Sequence, residues 1–409
     1  MHITLDAVRE LDRQDPLSGF KSQFALPEGI LYLDGNSLGA QPVAARGAVA
    51  DTMDQWRDEL IKSWNQGWFD APERLGNLLA PLLGASEGEV IITDNITLNL
   101  YKLLGYITDQ HRDGRRVVLS EGGNFPTDGY IAQGFCRLSG HEHRFLPEGT
   151  ELTEQLGDVA VVVLSHVNYR TGKLRDMAEI TRQVHSQGAE VIWDLAHSAG
   201  ALPISLNDCG VRYAVGCTYK YLNGGPGAPA FLYTHREYQD AGWQPLTGWH
   251  GHAAPFAFDE NYVPADDITR FRTGTHSALI YSALEASLTM WTEVDMTSLR
   301  TKSLRLTELF RDCLADLLAP YGIEDITPET DERGSQVALI DKENGFAIIQ
   351  ALIARGVIGD YREPGLLRFG FTPLYLSYED VWQAAQHVRD VLESGEYKDP
   401  RFNVRTSVT

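Results

Sequence analysis

The segment that decides the fold is "VAVVVLSHVNYRTGKLRDMAEITRQVHSQGAEVIWD", residues 159–194. It opens with an apolar run rich in valine, passes through a helical pattern that ends at a glycine, and closes with a second apolar run, "EVIWD". Strands that are apolar over their whole length are covered on both faces, and a strand–helix–strand repeat joins parallel neighbours. The segment therefore predicts one βαβ unit of a mostly parallel sheet.

The same alternation extends in both directions along the chain. "EVIIT" and "RRVVLS" are predicted strands before this unit, and the helix "DNITLNLYKLLGYI" between them has Asp94 or Asn95 as its N-cap. "YAVGCT" and "PAFLYT" are predicted strands after it, and "GILYLD" is a strand near the N-terminus. Beyond Ser282 a long helical stretch leads to the strands "SQVALI" and "LLRFGFTPLY" and a last helix. The sequence thus predicts an α/β fold with a smaller α+β domain at its C-terminal end.

The composition excludes some classes of partner. The chain has 409 residues, with 56 Asp and Glu against 35 Lys and Arg, which gives a net charge of −21. Nucleic-acid affinity depends on clustered cations, so we expect no nucleic-acid partner. The apolar run "VAVVVL" is far shorter than a membrane span, so we expect no membrane association.

The cysteines and the N-terminus indicate the compartment. Cys136, Cys209, Cys217 and Cys313 are widely scattered and form no CxxC pair, a spacing that favours neither a zinc site nor a redox dithiol. The N-terminal "MHITLDAVRELDRQD" lacks the apolar core of a signal peptide. We therefore expect a reducing, cytoplasmic location.

Short motifs raise other functions, and none is favoured. "GNSLG" matches the G-x-S-x-G nucleophile elbow of hydrolases with Ser37 as nucleophile, but only one short strand precedes it where the elbow needs a central strand. The pairs His141 with His143 and His250 with His252 have no third ligand nearby, so no metal is predicted. The phosphate-loop and dinucleotide glycine patterns are absent from the sequence.

Two ionisable residues at predicted strand ends indicate a specific chemistry. Asp194 ends "EVIWD", where a buried carboxylate is costly unless it meets a cation. Lys220 lies between two tyrosines in "GCTYKYLNGGPG", and apolar surroundings would disfavour its ammonium form and make its amine nucleophilic. In parallel sheets, ligands bind at the carboxyl ends of the strands. A lysine that forms a Schiff base, with a carboxylate that faces a ring nitrogen, is the minimal equipment for pyridoxal phosphate.

Two further features suit the same cofactor. "DNIT" opens a helix, and its free amides and the Thr97 hydroxyl can bind a phosphate group. Phe125 in "NFPTD" follows a strand end, where its ring can stack on a flat cofactor. Both features lie in loops selected by the strand-end rule.

Six motifs of the chain resemble those of the kynureninases, especially the bacterial ones: "YLDGNSLGAQP", "GNFPTD", "LSHVNYRTG", "WDLAHSAGALP", "GCTYKYLNGGPG" and "RFGFTPLY". The resemblance runs from about residue 20 to the C-terminal "VRTSVT". It implies a fold-type I pyridoxal-phosphate enzyme with a mostly parallel seven-stranded sheet, and a homodimer with shared active sites. It also implies hydrolysis of L-kynurenine, and less readily of 3-hydroxykynurenine, to anthranilate and alanine in tryptophan catabolism.

The resemblance assigns roles to individual residues. It makes Lys220 the Schiff-base lysine and the base at the substrate α-carbon, Asp194 the partner of the pyridine nitrogen, and Tyr219 a phosphate ligand that takes part in proton transfer. Arg368 would hold the substrate α-carboxylate with a two-pronged donor, and Trp64 would contact the substrate. The other implied cofactor contacts are Ile96, Thr97, Phe125, Thr127, Asp128, Ser165 and His197, with Trp249 and Thr275 reaching the phosphate from the partner subunit.

The resemblance also implies boundaries and shows a departure. An N-terminal segment, residues 1–50, would pack on the small domain and on the dimer partner, followed by the large cofactor-binding domain, 51–282, and the small C-terminal domain, 283–409. The family commonly has apolar or proline residues after the position of Thr275, where this chain has His276 and Ser277. Their effect on specificity near the aniline ring stays open.

Three alternatives remain at this point. One is another fold-type I pyridoxal-phosphate enzyme, such as a cysteine desulfurase or a β-lyase, and a desulfurase would need a mobile nucleophilic cysteine. A non-catalytic binding subunit would not need Lys220, Asp194 and Arg368 together. A Ser37 hydrolase would lose activity on Ser37→Ala with unchanged cofactor binding.

Overall fold

The computed structural model describes residues 3–111, 114–147 and 150–404, so the last residues of the "VRTSVT" motif, 405–409, lie outside the described part. The helices are α1 (Leu5–Arg13), α2 (Val43–Glu59), α3 (Ala71–Leu79), α4 (Ile96–Gln110), α5 (Pro126–Ser139), α6 (Met177–Ser186), α7 (Ala278–Trp291), α8 (Met296–Leu314), α9 (Gly345–Ala354) and α10 (Tyr378–Ser394). The strands are β1 (Leu31–Tyr32), β2 (Val90–Ile92), β3 (Val117–Glu121), β4 (Glu142–Leu146), β5 (Val159–Ser165), β6 (Glu190–Asp194), β7 (Tyr213–Gly216), β8 (Phe231–Thr234), β9 (Glu324–Asp325), β10 (Gln336–Ile340), β11 (Val357–Ile358), β12 (Asp360–Arg362) and β13 (Leu366–Gly370).

The large sheet has seven strands, the number that the resemblance implies, in the order β2-β8-β7-β6-β5-β3-β4. The run from β4 through β3, β5 and β6 to β7 is parallel, while β8 is antiparallel to both of its neighbours. The prediction of a mostly parallel seven-stranded sheet is confirmed. The parallel strands all end at the same edge of the sheet, and the predicted site residues lie in or after the loops that leave these strand ends.

One strand of the large sheet was not predicted from the sequence. The predicted strand "GILYLD" contains β1, which pairs in parallel with β11 in the C-terminal part. The seventh strand of the large sheet is β4, "EHRFL", which lies at the edge of the sheet and has no buried residue. An edge strand needs no continuous apolar run, so its sequence carries no strong strand pattern.

The apolar runs are long because both faces of the sheet are covered. In β5 all seven residues are buried. Val161 and Val163 face the cluster formed with α4 and α5, whereas Val162 and Leu164 face the opposite cluster, which includes residues of α6. Successive side chains of a strand point to opposite faces, so both must be apolar when both faces are buried.

The C-terminal part contains the antiparallel sheet β12-β13-β10-β9 with α8, α9 and α10 around it. The N-terminal helix α1 lies on α10, where the Asp12 carboxylate accepts from the backbone nitrogens of Tyr378 and Glu379 at 2.7 and 2.9 Å. A buried ion pair between Lys302 and Asp15, 2.6 Å apart, holds the same segment. The helix α7 runs through residue 282, where the sequence places a domain boundary. Of the described helices, none has the length and apolar character to cross a membrane.

Candidate active site

A cavity lies at the carboxyl edge of the large sheet, where β5, β6 and β7 end at Ser165, Asp194 and Gly216. Ten residues that the sequence analysis names line it: Ile96, Thr97, Phe125, Thr127, Asp128, Ser165, Asp194, His197, Tyr219 and Lys220. The structure thus brings together every cofactor contact predicted for a single subunit. Their roles stay predictions.

Lys220 enters this cavity from a turn that follows β7. The turn is closed by backbone hydrogen bonds from Asn223 N to the Lys220 oxygen and from Gly224 N to the Thr218 oxygen, both 2.9 Å. Lys220 Nζ lies 2.9 Å from His197 Nε2, and it lies 6.0 and 5.9 Å from the ring centroids of Phe125 and Tyr219. The glycine-rich run after Lys220 thus serves to place the amine beside an imidazole and two aromatic rings.

The surroundings of Lys220 are both aromatic and acidic. Besides the aromatic rings, the carboxylates of Asp128 and Asp194 act on the amine electrostatically. The sequence predicted the aromatic surroundings and paired Lys220 with Asp194, and the structure adds the Asp128 carboxylate.

Asp194 and Asp128 form a buried carboxylate pair. Burial raises the pKa of the Asp128 carboxyl well above its usual range, and the charge of Asp194 raises it further. Burial also raises the pKa of Asp194, although Lys220 and the backbone nitrogen of Ala196, 2.9 Å from Asp194 Oδ1, act in the opposite direction. Burial and the proximity of the two carboxyl groups therefore disfavour the form in which both are ionised.

Asn124, which the sequence did not predict as a site residue, links this pair to Ser165 at the end of β5. Asn124 Nδ2 donates to Asp128 Oδ2 at 2.9 Å, and Asn124 Oδ1 accepts from the Ser165 hydroxyl at 2.6 Å. The asparagine therefore fixes both side chains. Its place beside Phe125 in the quoted "GNFPTD" motif was the available signal.

His197 provides an unpaired nitrogen inside the cavity. Its Nε2 faces Lys220, while its buried Nδ1 has no hydrogen-bond partner among the described residues. Burial lowers the pKa of His197 well below its usual range, and the charge of Lys220 lowers it further. The imidazole is therefore neutral, with one nitrogen available to a bound molecule.

The opposite end of the cavity is the first turn of α4. Asn95 caps this helix, because its Oδ1 accepts from Leu98 N at 3.0 Å. The backbone nitrogens of Ile96 and Thr97 lie in the first turn, where no intrahelical acceptor exists. These donors and the helix dipole suit an anion.

Tyr219 and Phe125 line the same cavity with different exposure. Burial raises the pKa of Tyr219, and nearby Cys217 and Asp194 add to the rise, so its phenol is protonated and can donate. Phe125 is 46% exposed and meets Tyr169 edge to face, with ring centroids 5.4 Å apart. The Phe125 ring has the freedom and the position to cover a flat ligand.

Arg368 on β13 is buried next to this cavity rather than on its lining. Its Nε and Nη2 form a two-pronged contact with the Asp360 carboxylate, and Nη2 also lies 2.9 Å from Ser37 Oγ. Its Nη1 donates to the backbone oxygen of Tyr169 at 2.9 Å, and Tyr169 lines the cavity. The two-pronged face predicted for a substrate carboxylate is thus already bound to Asp360. A substrate carboxylate would meet the Nη1 end instead.

The same contacts decide against the Ser37 hydrolase. Ser37 Oγ donates to Asp360 Oδ2 at 2.9 Å while it accepts from Arg368. Its described hydrogen-bond partners are an acid and a guanidinium, and no histidine base is among them. The "GNSLG" segment serves to support Arg368.

The remaining predicted residues line a second cavity, which we call the aromatic cavity. Its lining consists of Ile61, Trp64, Asn65, Gly67, Phe69, Asp70, Trp249, His250, Phe256 and Thr275. The structure of one chain therefore separates Trp64, Trp249 and Thr275 from Lys220. The idea that Trp249 and Thr275 reach the phosphate from a partner subunit stays a prediction.

His276, the departure noted in the sequence, supports the wall of the aromatic cavity. Its ring meets the Trp64 ring edge to face at 5.5 Å, and its Nε2 lies 2.8 Å from the Trp68 backbone oxygen. Burial lowers the pKa of His276 to about 4, with Trp68 opposing the shift. A neutral histidine with its proton on Nε2 therefore takes the position of an apolar residue.

Comparisons with known proteins agree with this geometry. Residues 299–388 match the family described as "Kynureninase C-terminal domain". The kynureninase of Burkholderia pseudomallei strain 1106a is 48% identical to the chain over 99% of this chain and all of the relative, and that of Pseudomonas fluorescens is 47% identical over 98% of each. Among solved structures, the Escherichia coli cysteine desulfurase CsdA superposes with a TM-score of 0.74 at 17% identity, covering 92% of this chain and 99% of its own. The cystine C–S lyase C-DES superposes with a TM-score of 0.76 at 21% identity, covering 88% and 98%.

The chain has the fold of the fold-type I pyridoxal-phosphate enzymes, as the resemblance implied. Within that class the full-length identities decide the family: the chain belongs to the kynureninases. The likeness to the desulfurases concerns the fold alone.

Proposed function

We propose that the chain hydrolyses the Cβ–Cγ bond of L-kynurenine to give anthranilate and L-alanine, with pyridoxal phosphate held by Lys220. The observation that carries the proposal is the convergence of Lys220, Asp194 and the first turn of α4 on one cavity in a kynureninase-family chain. The reaction consumes one water, whose hydroxyl joins the carbonyl carbon while a proton joins Cβ. Trp64 and the pair Gly274–Thr275 resemble the residues of bacterial kynureninases, which favour kynurenine. The 3-hydroxy derivative would therefore be the poorer substrate.

The residues of the cavity fit pyridoxal phosphate. The unpaired His197 Nδ1, the buried acids and the first-turn nitrogens of α4 are the polar groups that such a molecule would satisfy. When bound, the cofactor supplies an electron sink for a carbanion next to the substrate amino group. Its binding residues would be Ile96, Thr97, Phe125, Thr127, Asp128, Ser165, Asp194, His197, Tyr219 and Lys220, with Trp249 and Thr275 from a partner subunit.

Lys220 would anchor the cofactor and then move a proton. Once its Nζ is released, this amine removes the proton of the substrate α-carbon. The neutral His197 beside it, 2.9 Å away, can share a hydrogen bond without adding a competing positive charge. This hydrogen bond would keep the Lys220 amine in the cavity after it leaves the cofactor and before it reaches the substrate α-carbon.

Asp194 would hold a proton on the cofactor ring nitrogen. A cationic nitrogen next to Asp194 favours its ionised form, because an opposite charge lowers a carboxyl pKa. Burial and the charge of Asp194 favour the protonated form of Asp128, so a proton shared by the pair would reside there. Asn124 donates to Asp128 and so fixes the position of its carboxyl group relative to Asp194.

Arg368 would bind the substrate α-carboxylate through Nη1. The Asp360 fork and the Ser37 hydroxyl hold Nε and Nη2 of the guanidinium, while Nη1 donates to the backbone oxygen of Tyr169, which lines the cavity. Arg362 contacts the same Asp360 carboxylate at 2.7 Å, and Asp34 acts electrostatically on both arginines. The second N–H of Nη1 is the donor with which Arg368 would meet a carboxylate.

Tyr219 would donate a hydrogen bond to the phosphate and transfer a proton to Cβ. Its raised pKa keeps the phenol protonated at neutral pH, which both roles require. Tyr219→Phe separates them. Loss of cofactor affinity alone supports the phosphate role, and slow alanine formation at saturating cofactor supports the proton role.

The partner would be a second copy of the chain. Ile61, Trp249 and Phe256 line the aromatic cavity and are exposed, and the exposed Phe258 stacks on Trp249. The helix α2 and the residue after it add the exposed side chains of Met53, Trp56 and Leu60. Such a concentration of exposed apolar surface is typical of an interface. We propose a homodimer in which this surface covers the Lys220 cavity of the partner. We also propose the division into residues 1–50, 51–282 and 283–409, and a cytoplasmic location.

The test is incubation with L-kynurenine while anthranilate fluorescence is followed. We expect a yellow protein whose visible band is lost on borohydride reduction, with the label on Lys220. A colourless protein that still cleaves kynurenine would overturn the proposal. Sulfide release from cysteine would favour a desulfurase instead.

The cysteines of the chain do not fit a desulfurase. Burial raises the pKa of Cys136, Cys217 and Cys313 to about 11 each, and it also raises the pKa of Cys209. A desulfurase nucleophile needs an accessible thiolate. Cys217 lines the cavity but is buried and protonated.

A further inference from the structure

Lys102 on α4 is a buried lysine that the mechanism above does not use. Its side chain is fully buried, and its Nζ lies 2.5 Å from Asp94 Oδ2, 2.5 Å from the Phe271 backbone oxygen and 3.4 Å from Asn99 Oδ1. A buried ammonium is costly unless all of its donors are paired. Three acceptors from two separate segments meet this requirement, so Lys102 joins those segments.

The first of these segments begins α4. Asp94 has a φ of 46°, in the left-handed region that a residue other than glycine adopts only when its surroundings hold it there. Its carboxylate accepts from the Thr93 hydroxyl at 3.0 Å and from the Thr273 hydroxyl at 3.3 Å, in addition to Lys102. Asp94 directly precedes the cap residue Asn95. Its conformation therefore sets the direction in which the first turn of α4 points.

The second segment contains Phe271 and Thr273. The Thr273 backbone oxygen accepts from His250 N at 3.2 Å, so the turn that contains Trp249 rests on the same point. Thr275 follows two residues later. The first turn of α4 would serve the site of its own chain, whereas Trp249 and Thr275 would serve the site of the partner subunit. All three predicted phosphate contacts nevertheless adjoin the contact between Lys102 and Asp94 in each chain.

We infer that Lys102, with Asp94 and Thr273, positions the groups that bind the phosphate of the cofactor. Lys102 does not touch the cavity, because it is absent from the described lining. It acts by holding the left-handed Asp94 and the 271–275 segment against each other. The inference rests on the proposed function, which puts the phosphate at the first turn of α4.

The experiment compares two aldehydes that differ only in the phosphate. Apo-protein carrying Lys102→Met is titrated with pyridoxal phosphate and, separately, with pyridoxal, and the visible band of the lysine-bound aldehyde is followed. We expect the affinity for pyridoxal phosphate to fall by about ten-fold or more, since a hydrogen bond to a charged group is lost. The affinity for pyridoxal should change by less than about two-fold, because Lys220 and Asp194 are untouched.

A matched control is Lys302→Met. Lys302 is also buried and ion-paired, with Asp15, and it donates to the Pro373 backbone oxygen at 2.6 Å, but it lies in the C-terminal part. This variant should lower the melting temperature while leaving both affinities at the wild-type value. A variant at Lys102 that weakens both aldehydes equally, or neither, would overturn the inference.

Milder variants keep the test decisive if Lys102→Met does not fold. Thr273→Val removes one hydrogen bond to Asp94 and should weaken pyridoxal phosphate by about three-fold, whereas Thr273→Ser should restore the affinity. Equal affinities of these two variants would also overturn the inference. Kynurenine is not used in these titrations, so failure of the wild-type protein to bind pyridoxal phosphate would count against the proposed function instead.

Discussion

The Lys220 cavity and the aromatic cavity differ in volume and in the chemistry of their lining residues. The first has a volume of about 140 Å³ and is lined by an amine, two acids, an imidazole and the first turn of a helix. The second has a volume of about 680 Å³ and is walled mainly by Trp64, Phe69, Trp249 and Phe256. The first contains groups that can transfer protons, and the second offers rings that can pack on an aromatic substrate or on another copy of the chain.

The difference shows how an active site can be divided. Reactive groups need fixed distances, and neighbouring strand ends of one sheet provide them. A broad aromatic surface tolerates looser placement, so it can be supplied across a subunit interface. Variants in the Lys220 cavity should therefore abolish the chemistry, whereas variants in the aromatic cavity should change how substrate or partner is bound.

The largest effect is expected for Lys220→Ala. Removal of the anchoring amine and of the base at the α-carbon should lower kynurenine cleavage by about a thousand-fold or more, measured as anthranilate fluorescence. The exposed Lys342 provides the control, and Lys342→Ala should retain full activity. Substantial residual turnover by Lys220→Ala would place the chemistry elsewhere.

Arg368→Lys should act mainly on substrate binding. A lysine retains the charge beside Asp360 but loses the planar donors, so KM should rise by about ten- to a hundred-fold with a smaller change in kcat. The measurement is steady-state kinetics with L-kynurenine at saturating cofactor. An unchanged KM would remove Arg368 from the carboxylate site.

Mixing two inactive variants tests whether the cavities combine across subunits. Lys220→Ala is mixed with the double variant Trp249→Ala, Thr275→Ala under conditions that exchange subunits. Random mixing should restore about a quarter of wild-type activity, because half of the dimers are mixed and each has one intact site.

The control mixture combines Lys220→Ala with Asp194→Asn. Both residues line the same cavity of one chain, so each site of the mixed dimer lacks one of them and no activity should return. Recovery in this control, or none in the test mixture, would contradict a site shared between subunits.

His276→Ala tests the wall of the aromatic cavity. Loss of the edge-to-face contact with Trp64 should change the ratio of kcat/KM for kynurenine and 3-hydroxykynurenine by about three- to ten-fold, and His276→Phe should change it less. Ser277→Ala is the control, because Ser277 precedes α7 without a side-chain capping bond. Equal ratios in all variants would exclude a role of His276 in specificity.

The smallest effect concerns acid stability. The pKa of His276 is about 4 in the folded chain, below its value of about 6.5 in an unfolded chain, so the unfolded state binds more protons between these values. The contribution of His276 to stability is therefore complete above about pH 6.5 and is lost as the pH falls towards 4. The melting temperature of His276→Phe should fall less between pH 7 and pH 5 than that of the wild type. An identical fall in both proteins would contradict this account.

The sequence predicted much of the fold and of the first cavity because their signals are local. Apolar runs covered on both faces identify β5 and β6, and the strand-end rule then selects the loops with Phe125, Asp194 and Lys220. The edge strand β4 was missed because its exposed residues carry no such run. Asn124 was missed because its role depends on Asp128 and Ser165, which only the fold brings to it.

The class of sheet, the family motifs and the prediction that Lys220 pairs with Asp194 came from the sequence alone. These follow from hydrophobic periodicity and from residue types at strand ends, which each short segment carries on its own. The folded chain was needed to show that β1 pairs with β11 and that Asp360 already binds the fork of Arg368. It also decided that Lys102 joins Asp94 to the 271–275 segment. These contacts join residues far apart in the chain, and a buried charge selects its partner by distance in the folded state, which no local pattern encodes.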